Sequence, residues 1–317
     1  MLKKESIKRL LISKKNSKFY LTNEQLGLAI AWYSFCKVGV SQNFNATTKR
    51  LCLLKTFKHL MTDNTKIFND IDQLITTVDS YKSEPAFSNE RTKRQNKQIV
   101  TFTSDSEILR TFAHLIAYSQ NSNSERVEQL FKSGKFDKAF ENFSIDKVVS
   151  MNPCDIADKY WSSISSIRQQ AKIFHIVSLA RKIKSTGSLL QTLNDINLPR
   201  QISTPQDIAN FWEGFDKLQK TLKENKISFF QSTTSLLHFL LDTGYDCVKP
   251  DLVVMKVSKK LKIVEDEKGE KYFRKAVRTI QEYSIDRNIK PSVVDFYFLV
   301  DGGQKGAMKF VTEKFYN

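Results

Sequence analysis

Ten glycines and six prolines in 317 residues leave few natural breaks, and between them apolar side chains recur every three or four positions. That spacing puts them on one face of an α-helix, so the sequence predicts a nearly all-α protein. Hydrophobic residues make up 40% of the chain and Phe alone contributes 23, enough for one large or two small buried cores. The longest apolar run, 26–40, is interrupted by Ser34 and Lys37 and is too short to cross a bilayer. Met1-Leu2-Lys3-Lys4 lacks the apolar stretch and cleavage site of a secretory signal. The expectation is therefore no membrane and a cytoplasmic location, nucleoid-associated in a prokaryote.

Charge narrows the partner. Fifty Lys and Arg face 34 Asp and Glu, a formal surplus of +16, which favours a polyanion: nucleic acid first, an anionic membrane second. Residues 1–60 hold twelve Lys or Arg against only Glu5 and Glu24, and read as a basic arm or face. Cys36, Cys52, Cys154 and Cys247 match no zinc, iron–sulfur or disulfide spacing and read as reduced intracellular thiols.

Three regions follow from the pattern. Residues 1–79 form a basic helical N-terminal region, with helices over 23–40 and 47–78. Residues 80–103, rich in Ser, Asn, Lys and Arg around Pro85, read as a linker or mobile loop. Residues 104–317 form the core. There, Ile108, Phe112, Leu115 and Ile116 share one face of a helix over 105–120, with Ser104 or Asp105 as caps. Shorter helices follow over 125–131 and 136–143, and one starts at Asn152-Pro153. A longer helix over 167–184 has Ile173, Ile176, Ala180 and Ile183 on its apolar side. Thr204-Pro205 starts a helix to about Lys223, and Ser232 or Thr233 caps another that ends at Gly244. Further helices run from Asp251, over 272–286 and from Pro291 to Val300.

Two constellations carry chemistry. Val248-Lys249-Pro250-Asp251-Leu252-Val253-Val254-Met255-Lys256-Val257-Ser258-Lys259-Lys260-Leu261 places an acid at the start of a basic, apolar helix, just after a helix, a short hairpin and a second helix. Upstream, Leu115-Ile116-Ala117-Tyr118-Ser119-Gln120-Asn121 ends a helix in a polar turn. Taken together, this order resembles the helix-hairpin-helix DNA glycosylase superfamily, from about Asp105 to Gly303. In that family the hairpin reads approximately L-P-G-V-G-x-K-T-A and is followed by V-D-T-H-V-x-R-V-x-x-R-L-G. Here Ile227 to Ser235 stands in the first block. Asp251 falls on the catalytic carboxylate, Val254 on its Val, Lys256-Val257 on its R-V and Lys260-Leu261 on its R-L. A weaker likeness to 3-methyladenine DNA glycosylase I runs from Phe136 to Ala180, without that branch's Cys/His zinc cluster.

The resemblance implies an all-α helix-hairpin-helix glycosylase-like core that flips a base from double-stranded DNA, as a monomer with no cofactor and no metal. Asp251 would be the catalytic carboxylate, stabilising the positive charge that builds on the sugar and orienting a water. At a helix N-terminus, the macrodipole and free amides favour its anion. Gln120 would fill the gap left by the extruded nucleotide. Phe229, Phe230, Gln231, Ser232, Thr233, Lys249 and Lys256 would contact DNA. Tyr118, Trp161, Trp212 and Tyr245 could stack on the base, although aromatic residues at helical spacing are also ordinary core. His114, His175 and His238 read as core or pocket-rim residues, and Asp295 as structural.

Two departures matter. The family hairpin uses Gly so that its amides can approach a phosphate, and this one has none. Bifunctional members carry a Schiff-base Lys where this chain has Thr233, so the expected enzyme is monofunctional and leaves an abasic site; Lys249 is the nearest substitute amine. Inserted helices around Gly187 to Lys226 would reshape the pocket. Two alternatives stand beside excision of a damaged base: a glycosylase against hypermodified bases of foreign DNA, as in antiviral defence, and a non-catalytic DNA-binding protein on the same fold.

Overall fold

A computed structural model describes residues 64–120 and 122–311. The chain divides between Phe57 and Lys58, and every described residue belongs to the second part. The basic arm, the helix expected over 23–40 and the first part, 47–63, of the helix expected over 47–78 lie outside the described residues.

The described part is all-α, with no strand among its residues. Helix α1 covers 64–78 and continues as a 3-10 turn, Asp79–Ser83. It is followed by α2 (Pro85–Gln95), α3 (Asp105–Tyr118), α4 (Ser124–Lys132), α5 (Lys135–Ala139), α6 (Ile145–Ser150), α7 (Pro153–Ile164) and α8 (Ala171–Ser185). Then come α9 (Leu189–Asp195), α10 (Pro205–Glu224), α11 (Thr233–Asp242), α12 (Leu252–Lys260), α13 (Glu270–Arg287), α14 (Pro291–Asp301) and α15 (Lys305–Met308). Helices α3 to α8 pack mainly on one another, and α10 to α15 form a second group around α13 and α14. The groups meet where α3 lies on α11: Phe112 stacks on Phe230 with ring centroids 3.8 Å apart and meets Phe239 edge-on at 4.7 Å.

Local chemistry explains the helix boundaries. The Ser104 hydroxyl accepts from the Glu107 amide, while the Glu107 carboxylate accepts from the Thr103 amide at 2.7 Å. Thr204 and Asp207 form a reciprocal capping box at the start of α10. The ends of α10, α11 and α12 share a Schellman turn, in which the amides of a left-handed residue and of the residue after it reach back to the last carbonyls. Only α11 uses glycine there; α10 and α12 use Lys226 (φ 52) and Lys262 (φ 58). Lys226→Gly is therefore expected to stabilise the protein by about 1 kcal/mol, read as a higher urea midpoint at unchanged slope.

At Gly244 the left-handed backbone (φ 89) coincides with a close approach. An added Cβ would lie 2.6 Å from the Gln98 carbonyl oxygen. The segment that touches it runs beside the end of α11, with the Val100 amide donating to Thr243 O at 3.0 Å. Gly244→Ala is expected to cost about 2–4 kcal/mol in urea unfolding, because strain and a backbone clash add.

Four expectations are corrected. Residues 80–103 are not a free linker: Pro85 starts α2, and Phe87 is fully buried against Phe296 and Tyr297 of α14. Helix α1 belongs with the core rather than with a separate arm, since Ile71, Leu74 and Val78 are buried and Asp72 accepts from Tyr283 and Arg287. The helix expected from Ile167 starts at Ala171, after Arg168 turns left-handed (φ 72), and the one expected to reach Phe143 stops at Ala139. Glu141, Asn142 and Phe143 are also left-handed, a turn that folds Phe143 back onto Phe136 and Phe140.

Candidate active site

Helices α10 and α11 are joined by eight residues, and Asp251 caps α12 shortly after α11 ends. Pro250 is buried, so the chain enters α12 from a fixed point. The backbone of Asp251 is extended (φ −84, ψ 178), and its Oδ1 accepts from the amides of Val253 at 3.0 Å and Val254 at 3.1 Å. Both capping bonds use one oxygen. Among the described residues, Oδ2 has no hydrogen-bond partner, and the side chain is half-buried. Position is enforced from behind: a Cβ on Gly302, at the end of α14, would come within 2.3 Å of Val253 Cγ1, so only glycine lets α12 sit this close.

Charged groups from four parts of the chain gather near this cap. Asp295 on α14 is buried at 3% exposure and accepts from Arg94 Nη1 at 2.9 Å. Burial, with the charge of Asp251 adding to it, pushes the Asp295 carboxyl up to about 6, against the lowering effect of Arg94. His238 on α11 is held down at about 4, first by burial and then by Lys249, while Asp242 and Asp251 pull the other way. Lys97 donates to Leu241 O at 3.0 Å and lies 3.8 Å from Asp242, and burial lowers its pKa. Arg94 and Lys97 come from the segment the sequence presented as a linker. Nothing in an Asn- and Lys-rich run signals a half-buried guanidinium paired with a buried acid; Pro85 as a helix start and Phe87 were the available hints.

Gln120 stands at the far end of α3, exposed and left-handed (φ 55). Two residues earlier, Tyr118 is half-buried and edge-on to Phe131. Burial, then the charges of Glu128 and Asp242, raise its hydroxyl to about 12. Asp242 thus acts on both Tyr118 and His238, and Asp251 acts on His238 as well. The end of α3 and the start of α12 thus each interact with charged groups of α11.

No family model, curated protein or solved structure matches this chain.

Two of the expected DNA contacts, Phe230 and Thr233, are corrected by where their side chains go. Phe230 is buried at 1% exposure under Phe112. Thr233 is buried at 4% beside Gln219, whose amide nitrogen lies 3.3 Å from its hydroxyl and also donates to Gln231 O. The Gln231 side chain turns back to Leu222 O, and the Ser232 hydroxyl is engaged in capping Ser235. The inward turn has a physical reason: without glycine, the hairpin is pinned by burying its own side chains. Its backbone nevertheless takes a glycine-like path at Phe229 (φ 77). Among the described residues, the amides from Ser228 to Thr234 meet no acceptor. Lys249 is half-buried and Lys256 exposed, and both remain available to a phosphate.

Of the aromatic candidates, Trp212 is core rather than pocket: it is 2% exposed and its Nε1 donates to Gln281 Oε1 at 3.0 Å. Trp161 is half-buried on α7, which packs chiefly on α5 and α8. Tyr245 is half-buried with Arg200 over its ring at 5.7 Å, and it lines a shallow pocket with Phe102 and Phe239. No cluster of His, Cys, Asp or Glu suited to a metal occurs among the described residues, and no described helix is long and apolar enough to cross a membrane.

Proposed function

We propose that this protein is a monofunctional DNA glycosylase that extrudes a damaged or modified base from duplex DNA and hydrolyses its N-glycosidic bond, leaving an abasic site. One observation carries the reading: the Asp251 carboxylate caps α12 with a single oxygen, directly after a helix–hairpin–helix whose amides from Ser228 to Thr234 lack internal partners. The free oxygen can face a sugar that is gaining positive charge, while the cap keeps the group in place. The hairpin amides can hold a phosphate, and Lys249 and Lys256 supply positive charge near the same helix start. Gln120, exposed on its left-handed turn, is suited to fill the vacated stack.

With a buried threonine at position 233, that position offers no amine for a Schiff base, which supports hydrolysis without strand cleavage. The test uses the full chain and duplexes carrying alkylated, oxidised, deaminated or hypermodified bases, with and without hot alkali. Strand breaks that appear only after alkali support the proposal. Breaks without alkali oppose the monofunctional assignment, and Lys249 is then the first amine to replace.

A non-catalytic DNA-binding role is the second reading. The unpartnered hairpin amides favour it equally, because they can grip a backbone whether or not Asp251 reacts. Tight, salt-sensitive duplex binding with no alkali-labile product across the whole panel would select it.

A further inference from the structure

Lys172 is the most completely enclosed cation near the candidate DNA-facing end of α3. It is 1% exposed and sits in the first turn of α8, where the helix dipole disfavours positive charge. What holds it there comes from another helix. Its Nζ donates to Ala117 O at 3.0 Å, Ser119 O at 2.7 Å and Ser122 Oγ at 2.9 Å. These three acceptors match the three protons of an ammonium. Two of them are carbonyls at the negative end of α3, which lack partners within that helix.

The same cluster reaches a second loop. Ser122 Oγ donates toward Ile167 O at 3.1 Å, just before the left-handed Arg168. Gln120 lies between Ser119 and Ser122 in the sequence, and its positive φ is a conformation that a glutamine does not adopt without support. The hydrogen bonds to Lys172 on either side provide that support.

We propose that Lys172 is a positioning residue whose ammonium, sealed under Ser119 and Ser122, holds Gln120 in the conformation that enters DNA; the consequence for DNA rests on the glycosylase reading above. Burial, followed by the charge of Arg168, lowers its pKa to about 8. On deprotonation one of the three bonds loses its proton. Because the folded-state pKa is depressed, overall stability should rise with pH between about 8 and the usual lysine value near 10.4, while the hold on Gln120 weakens. A merely structural lysine would not separate these two trends.

The test compares wild type, Lys172→Met, Ser122→Ala, Gln120→Ala and the Gln120→Ala/Lys172→Met double variant. The probe is a duplex containing one tetrahydrofuran abasic analogue, measured against the matched intact duplex at fixed salt. Lys172→Met is expected to lower the preference for the tetrahydrofuran duplex by about tenfold, the scale of losing a charge-assisted hydrogen bond. Ser122→Ala should lower it less, and the double variant no further than Gln120→Ala alone. The wild-type preference should decline between pH 7 and 9 and that of Lys172→Met should not.

Hydrogen exchange supplies a readout without DNA: in Lys172→Met, the amides of Ser119, Gln120 and Ser122 should exchange about tenfold faster while those of α12 keep their protection. Unchanged exchange at these amides overturns the proposal. If Gln120→Ala abolishes the preference and Lys172→Met retains it, the role of Lys172 is lost while the glycosylase reading stands. If the wild type shows no preference but the exchange effect is present, the Gln120 part of that reading fails and the positioning of the turn survives.

Discussion

Asp251→Asn is expected to reduce base excision by on the order of 10²–10⁴-fold while leaving duplex affinity and fold almost unchanged. Asparagine retains a side-chain oxygen at the position where Asp251 accepts from Val253 and Val254, so the cap on α12 survives. What disappears is the charge opposite the developing sugar cation, and with it the acceptor that orients water. Asp251→Ala separates the two roles. It should lose the same activity and also about 1 kcal/mol of stability, because two amides of α12 lose their acceptor. Single-turnover excision followed by alkali, alongside urea unfolding of both variants, reads the difference. Equal excision by wild type and Asp251→Asn would remove Asp251 from the chemistry.

The second large effect is on stability. Arg94→Met should destabilise the protein by about 3 kcal/mol, because it leaves the buried Asp295 carboxylate without the guanidinium that donates to it. The loss has a definite pH sign. Burial raises the folded-state pKa of Asp295 to about 6, above the value near 3.9 of an unfolded aspartate. Its contribution is therefore fully present below about pH 4 and is lost as pH rises through about 6. Removing Arg94 pushes that pKa higher still, so Arg94→Met should suffer less at pH 5 than at pH 8. Asp295→Asn should flatten the dependence, and combining it with Arg94→Met should recover much of the loss. Urea midpoints at the two pH values check each step; equal losses at both would mean that the pair does not carry the effect.

What could be read in advance divides along physical lines. Helix type and most starts were legible because they depend on neighbouring residues: Ser104, Asn152, Thr204 and Ser232 cap the helices they were expected to cap. Asp251 was legible as a helix start for the same reason. The fate of individual aromatics was not, since only the tertiary packing puts Trp212 under α13 and Tyr245 beneath Arg200. The hairpin shows the limit most clearly. Its missing glycines suggested altered chemistry, whereas Phe229 adopts the left-handed path regardless and turns its neighbours inward. Long-range charge pairing was invisible as well: a lysine-rich segment reads as solvated until an acid such as Asp295 is found waiting for it.

The pairing that brings Arg94 to Asp295 joins residues 201 positions apart, and Asp72 reaches Arg287 across 215. Such contacts close very long loops, so they are expected among the late events of folding. During synthesis, the group around Asp251 cannot be completed until α14 has emerged, even though α2 and α3 were made long before. The candidate site is in this sense a seal between the early and late parts of the chain: a polypeptide truncated before α14 would retain Asp251 but lack the buried framework around it.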